Sequence, residues 1–122
     1  MLQNIKEYQL NYLRVLKTNY KRYIHNVVDF NQKLIGIVGA RGVGKTTFLL
    51  QYLKENELAL SKKLYLSADT VDVESLFDIA FEFAKEGGEL LIIDEIHKYK
   101  NFEIELKKIY DMLELKVIFS GS

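Results

Sequence analysis

Cysteine is missing from all 122 residues, and so is proline. Without cysteine there are no disulfides and no thiolate metal sites, and a reducing compartment is compatible with the chain. The missing proline is unusual and excludes nothing. An excess of charge is missing as well, since 17 Lys plus Arg face 17 Asp plus Glu. No global field therefore favours nucleic acid or an anionic membrane, and such a partner would need a local basic patch. Also lacking is any apolar run near the roughly 20 residues that span a bilayer. The opening "MLQNIKEYQL" does not have the basic-then-apolar layout of a signal peptide. By elimination the cytoplasm is the default compartment.

What is there suits one folded unit. Apolar residues make up 48% and charged residues 28%, as in soluble globular chains, and the length can support one core. Leu2, Ile5, Tyr12, Leu16 and Tyr23 recur at helical spacing, which predicts a helix from about Leu2 to Ile24. Arg14, Lys17 and Lys21 share another face of it, read as a solvated face. Lys33 to Val38 is a short, nearly continuous apolar run, as in a strand buried on both sides. A helix from Thr46 to about Glu55 follows, then a strand over Lys62–Ala68. Val73, Leu76, Phe77, Ala80, Phe81 and Ala84 make an apolar helical stripe, with Thr70 or Asp72 as its cap and Gly87-Gly88 as its end. Glu89–Asp94 is a third strand, Phe102, Leu106, Tyr110 and Leu113 mark another helix, and Lys116–Ser120 is a fourth strand. Alternating strands and helices predict parallel strands joined by right-handed crossovers, an α/β fold. The final "LKVIFSGS" reads as a strand that stops as it reaches its edge, so a fragment of a longer protein is expected.

Between the first strand and its helix lies "GARGVGKTT", residues Gly39 to Thr47. Gly39-x-x-x-x-Gly44-Lys45-Thr46 matches the phosphate-binding loop GxxxxGK[ST], in the strand–loop–helix context that the motif requires. Glycines accept positive φ, so the backbone can curl around a phosphate with its N–H groups inward. The helix start adds further N–H groups and the positive end of its dipole. Lys45 can set its charge against the β- and γ-phosphates, and the Thr46 hydroxyl can ligate Mg²⁺. Gly42, Val43 and Thr47 complete the nucleotide-contacting set. Arg41, at a variable loop position, is the candidate for a contact with phosphate or base, although a solvated or structural arginine is the plainer account.

A second motif, "LLIIDE", sends Asp94 and Glu95 out of a buried strand at its C-terminal edge. Ligands sit at that edge in open α/β sheets. Asp94 is the candidate for holding Mg²⁺ through water, and Glu95 for polarising the water that attacks the γ-phosphate. Acids often follow buried strands for structural reasons, and it is the coupling to the glycine loop that favours function here. Ser120 and Ser122, just past the fourth strand, could orient that water or bond the γ-phosphate, and strand-end capping accounts for them nearly as well. His97 and Lys98 are expected at a solvent-facing helix or loop start. Asp69 is expected to cap the helix after the second strand.

The segments "GARGVGKTTFLLQYL", "LYLSAD", "LLIIDEIHK" and "VIFSGS", in this order and spacing, resemble the prokaryotic AAA+-related ATPases over Leu34 to Ser122. The resemblance implies a P-loop parallel sheet flanked by helices, with residues 1–30 as a helical extension and 31–122 as an incomplete ATPase core. It implies ATP and Mg²⁺ as cofactors. Gly39, Gly44, Lys45 and Thr46 carry over as nucleotide and Mg²⁺ residues, Asp94 as the Mg²⁺-associated acid, Glu95 as the catalytic base, and Ser120 or Ser122 as a polar sensor. It also implies C-terminal parts outside this chain, a fifth strand beside the loop-bearing strand, and a homo-oligomeric or protein partner. Two functions stay open at this point: an ATPase core, and a nucleotide switch or scaffold that binds ATP without significant hydrolysis. A GTPase would need an N-K-x-D motif, which the sequence lacks. A small-molecule kinase would have no need of Glu95 beside the Mg²⁺ acid.

Overall fold

The computed structural model describes residues 1–15, 32–38 and 44–121. Its elements run α1 (Leu2–Val15), β1 (Leu34–Val38), α2 (Lys45–Glu55), β2 (Lys63–Ser67), α3 (Leu76–Lys85), β3 (Leu90–Asp94), α4 (Phe102–Met112) and β4 (Lys116–Gly121). The strands form one four-stranded sheet in the order β1-β4-β3-β2, with every pairing parallel. This is the expected α/β architecture of a parallel sheet flanked by helices and preceded by an N-terminal helix. The expected continuation of that first helix to Ile24, with Leu16, Lys17, Lys21 and Tyr23, falls outside the described residues.

Alternation along each strand builds two cores. Leu64, Leu66, Leu91, Ile93 and Val117 face α3 and α4, and meet Leu76, Ala80, Phe83, Leu106 and Ile109. The intervening Tyr65, Leu90, Ile92 and Ile118 face α2, and meet Phe48, Leu49 and Leu53. Right-handed crossovers explain the division. The connection from β1 to β2 travels one way across the sheet, and the steps from β2 to β3 to β4 travel back, so their helices land on opposite faces. Within β1, Gly36 leaves room for the ring of Phe119 on the neighbouring strand, since a Cβ there would lie 2.6 Å from Phe119 Cζ and push the ring aside.

The start of α3 corrects the sequence-based cap. Neither Thr70 nor Asp72 caps it, and Val73 precedes the helix; Ser75 is the cap, its Oγ accepting from the Asp78 N–H at 3.1 Å. Glu105 of α4 also accepts from the Ser75 hydroxyl at 3.1 Å, which ties the two helices together. Asp69, expected as a cap, instead forms an ion pair with Lys98. Phe81 and Tyr110, counted among the apolar positions, are exposed, and Phe81 stacks on Phe77 with ring centroids 6.0 Å apart.

The free edge of β2 is covered by α1. Leu2 and Ile5 pack into one core, while Tyr12 and Leu13 pack against the other. Between them the buried Gln9 substitutes for a missing strand: its Nε2 donates to Lys63 O at 3.2 Å and its Oε1 accepts from the Tyr65 N–H at 2.9 Å. An edge strand needs such cover, since unpaired backbone groups cost free energy and template association. Gln9→Leu, close in size but unable to bond, should lower the unfolding free energy by about 2 kcal/mol, with an unchanged denaturant slope. Urea titration checks this, and an unaltered midpoint would show that the edge is satisfied without Gln9.

Candidate functional site

The C-terminal ends of β3 and β4 and the first turn of α2 converge. Gly44, just before α2, has φ 84°, a left-handed conformation that its missing side chain makes inexpensive. It turns the chain so that Lys45 and Thr46 open the helix beside the strand ends. The buried Lys45 donates from Nζ to Gly121 O, at the end of β4, over 2.9 Å. The exposed Thr46 donates from Oγ1 to Asp94 Oδ2, at the end of β3, over 2.6 Å. Thr47 is half-buried in the same turn.

Asp94 is 1% exposed. A carboxylate so far from water needs donors on both oxygens. Oδ1 accepts from Ser120 Oγ at 2.5 Å. Oδ2 accepts from Tyr65 at 2.6 Å as well as from Thr46. The Ser120 hydroxyl, wholly buried, also accepts from the Glu95 N–H at 3.0 Å. One side chain on β4 thereby locks both acids.

Glu95 turns out of the strand at φ 58°, ψ 42°, in the left-handed region. That conformation is costly for a side-chain-bearing residue and concentrates at functional sites. It is held by the single 3₁₀ turn Ile96–Lys98 that follows and by the Ser120 bond. The segment is tied down further by Tyr99, whose hydroxyl donates to Val71 O at 2.6 Å. Burial pushes the Tyr99 phenol well above the ordinary tyrosine range, with Asp72 adding to the rise, so it stays a donor. Glu95 Oε2 lies 3.5 Å from His97 Nε2. His97 and Lys98 are exposed, as expected of a solvent-facing turn.

Of the residues singled out from sequence, Lys45, Thr46, Asp94, Glu95 and Ser120 are thus brought together through named contacts. Gly39, Arg41, Gly42, Val43 and Ser122 lie outside the described residues. Two participants escaped sequence reasoning. Tyr65 lies in the apolar strand "KLYLS", and its signal was there: a buried tyrosine hydroxyl requires a partner. His97 was placed at the surface but not against Glu95, and only the turn geometry joins them.

A sequence profile described as "AAA domain" matches residues 31–122. The chain belongs to the AAA domain family. An uncharacterised protein of Methanocaldococcus jannaschii is 29% identical over 119 residues, spanning 88% of this chain and 24% of its own length. The chain thus covers about a quarter of the relative that it matches. The AAA domain assignment makes this a nucleotide-binding, ATPase-like fold. Among the described residues no helix is long and apolar enough to cross a membrane, and no three His, Cys, Asp or Glu side chains form a group that could hold a metal by itself.

Ser120→Ala would strand the buried Glu95 N–H and remove one donor from Asp94. The expected loss is about 1–3 kcal/mol of folding stability, the usual cost of an unsatisfied buried group. Chemical denaturation measures it, and parental stability would mean that Ser120 does not lock the acids.

Proposed function

We propose that this chain is the catalytic core of an ATPase, residues 31–122 forming the nucleotide-binding unit and residues 1–30 an extension. The observation that carries the proposal is the Thr46–Asp94 hydrogen bond of 2.6 Å. It joins the helix after a phosphate-binding loop motif to the acid at the end of a neighbouring buried strand. The fit to Mg²⁺ rests on the donors. A hydroxyl and a carboxylate are hard oxygens, one of them exposed to solvent, and Mg²⁺ is commonly held by one or two such groups with substrate phosphates and waters. Thr46 and Asp94 would hold it, and when bound it neutralises charge on the β- and γ-phosphates.

The chain's own residues supply the rest. Gly39, Gly42, Val43, Gly44 and Thr47 offer backbone N–H groups to the phosphates, and Arg41 is the loop's candidate for a further contact with phosphate or base. Lys45 moves its ammonium from the Gly121 carbonyl to the phosphate oxygens. Glu95, beside the Mg²⁺ acid, accepts the proton of the water that attacks the γ-phosphate. Ser120 keeps the two acids in mutual register. Catalysis of this kind depends on positioned charge. An arginine from a partner, from a second copy or from a further part of the protein would complete the charge around the γ-phosphate.

Lys45→Ala should weaken ATP binding ten- to hundredfold, about 1.5–3 kcal/mol for a charge-assisted bond. Isothermal titration in Mg²⁺ tests this, and equal affinity in mutant and parent would remove Lys45 from the site.

A second reading has one observation in its favour: Glu95 is 6% exposed and engaged by His97, as suits a nucleotide switch that binds without turnover. Glu95→Gln separates the two. In an ATPase it should leave binding intact and slow phosphate release about 10²–10⁴-fold, since an amide cannot take the proton. Turnover that is measurable in the parent and unchanged in the variant would assign the base elsewhere, and a parent that binds without turnover would establish the switch.

A further inference from the structure

Tyr65 belongs to neither the glycine loop nor the acid motif, yet its phenol donates to the oxygen of Asp94 that also receives Thr46. It is 1% exposed. A carboxylate turns easily about its last torsion, which is broad and two-fold. Ser120 on Oδ1 and Tyr65 on Oδ2 stop that rotation from two buried sides. Thr46, exposed and at a helix start, is the donor least able to do so. Behind the ring stands α1. Tyr12 meets it edge-on at 5.0 Å and 71°, and Gln9 accepts from the Tyr65 N–H at 2.9 Å.

We propose that Tyr65 is a positioning residue, which holds the Asp94 carboxylate in the orientation that receives the divalent cation, and that α1, from outside the AAA domain match, holds Tyr65. This deepens the Mg²⁺-nucleotide reading and rests on it. Residues that orient a metal-binding carboxylate from behind typically change metal affinity 10–100-fold when lost.

The test titrates Mg²⁺ into the whole chain at a fixed concentration of a fluorescent ATP analogue, and repeats the binding in EDTA. Tyr65→Phe keeps the ring and its packing. The Mg²⁺ concentration for half-maximal binding should rise 10–100-fold, while affinity in EDTA stays at the parental value. In an Asp94→Asn background the same change should add less than about twofold, because partners acting through one group are not additive. An unmoved Mg²⁺ midpoint, an equal loss in EDTA, or full additivity with Asp94→Asn would overturn the proposal. Were the parent itself indifferent to Mg²⁺, the Mg²⁺-nucleotide reading would fall, and this proposal with it. Should Tyr65→Phe fail to fold, Tyr12→Leu, at a half-buried position, loosens the same ring from behind. It should raise the Mg²⁺ midpoint measurably, and a parental midpoint would overturn the proposal equally.

Discussion

The buried carboxylate of Asp94 is the constraint on which the site depends. Taking an ionised group out of water costs several kcal/mol unless donors replace the lost hydration. Three hydroxyls do so, from Thr46, Tyr65 and Ser120, and they come from α2, β2 and β4. One charge at the end of β3 therefore fixes the mutual placement of three other elements. The same arrangement concentrates polar groups at one edge of an otherwise apolar sheet.

That edge exists because all four strands run in parallel. Their C-terminal ends lie together, and each chain leaving the sheet must turn there. Gly44 and Glu95 take their turns in the left-handed region. For glycine the turn is cheap. For Glu95 it is strained, and its support comes from Ser120 and the following 3₁₀ turn. Strain at an acid that the proposed mechanism uses as a base agrees with the general tendency of functional residues to occupy costly backbone conformations. The two free edges of the sheet differ. On β2 the edge is closed by α1 and Gln9, whereas β1, among the described residues, pairs with β4 alone.

Most of the fold was legible because each signal was local. Five-residue runs such as "LIGIV" and "LLIID" are too short for helices and too apolar for an exposed strand, so they announce a parallel, two-faced sheet. Helix boundaries were less legible. Thr70, Asp72 and Ser75 are all competent caps, and Ser75 prevails because its spacing to Asp78 and its bond to Glu105 agree with the packing of α3 on α4. Phe81 fits the helical period and still faces outward, since period alone does not say where a stripe ends. Asp69 meets Lys98 only because β2 and β3 are neighbours that end level with each other.

By itself the sequence determined the strand–helix alternation, the glycine loop before α2 and the acid pair after β3. These follow from composition and spacing within short windows, where backbone chemistry decides. Only the tertiary structure decided which groups satisfy Asp94, that Ser120 joins both acids, and that α1 reaches the site through Tyr65. Those contacts link residues 25 or more positions apart. Their cause is the desolvation of one carboxylate together with the pairing order of the sheet, and neither is encoded in any single stretch of chain.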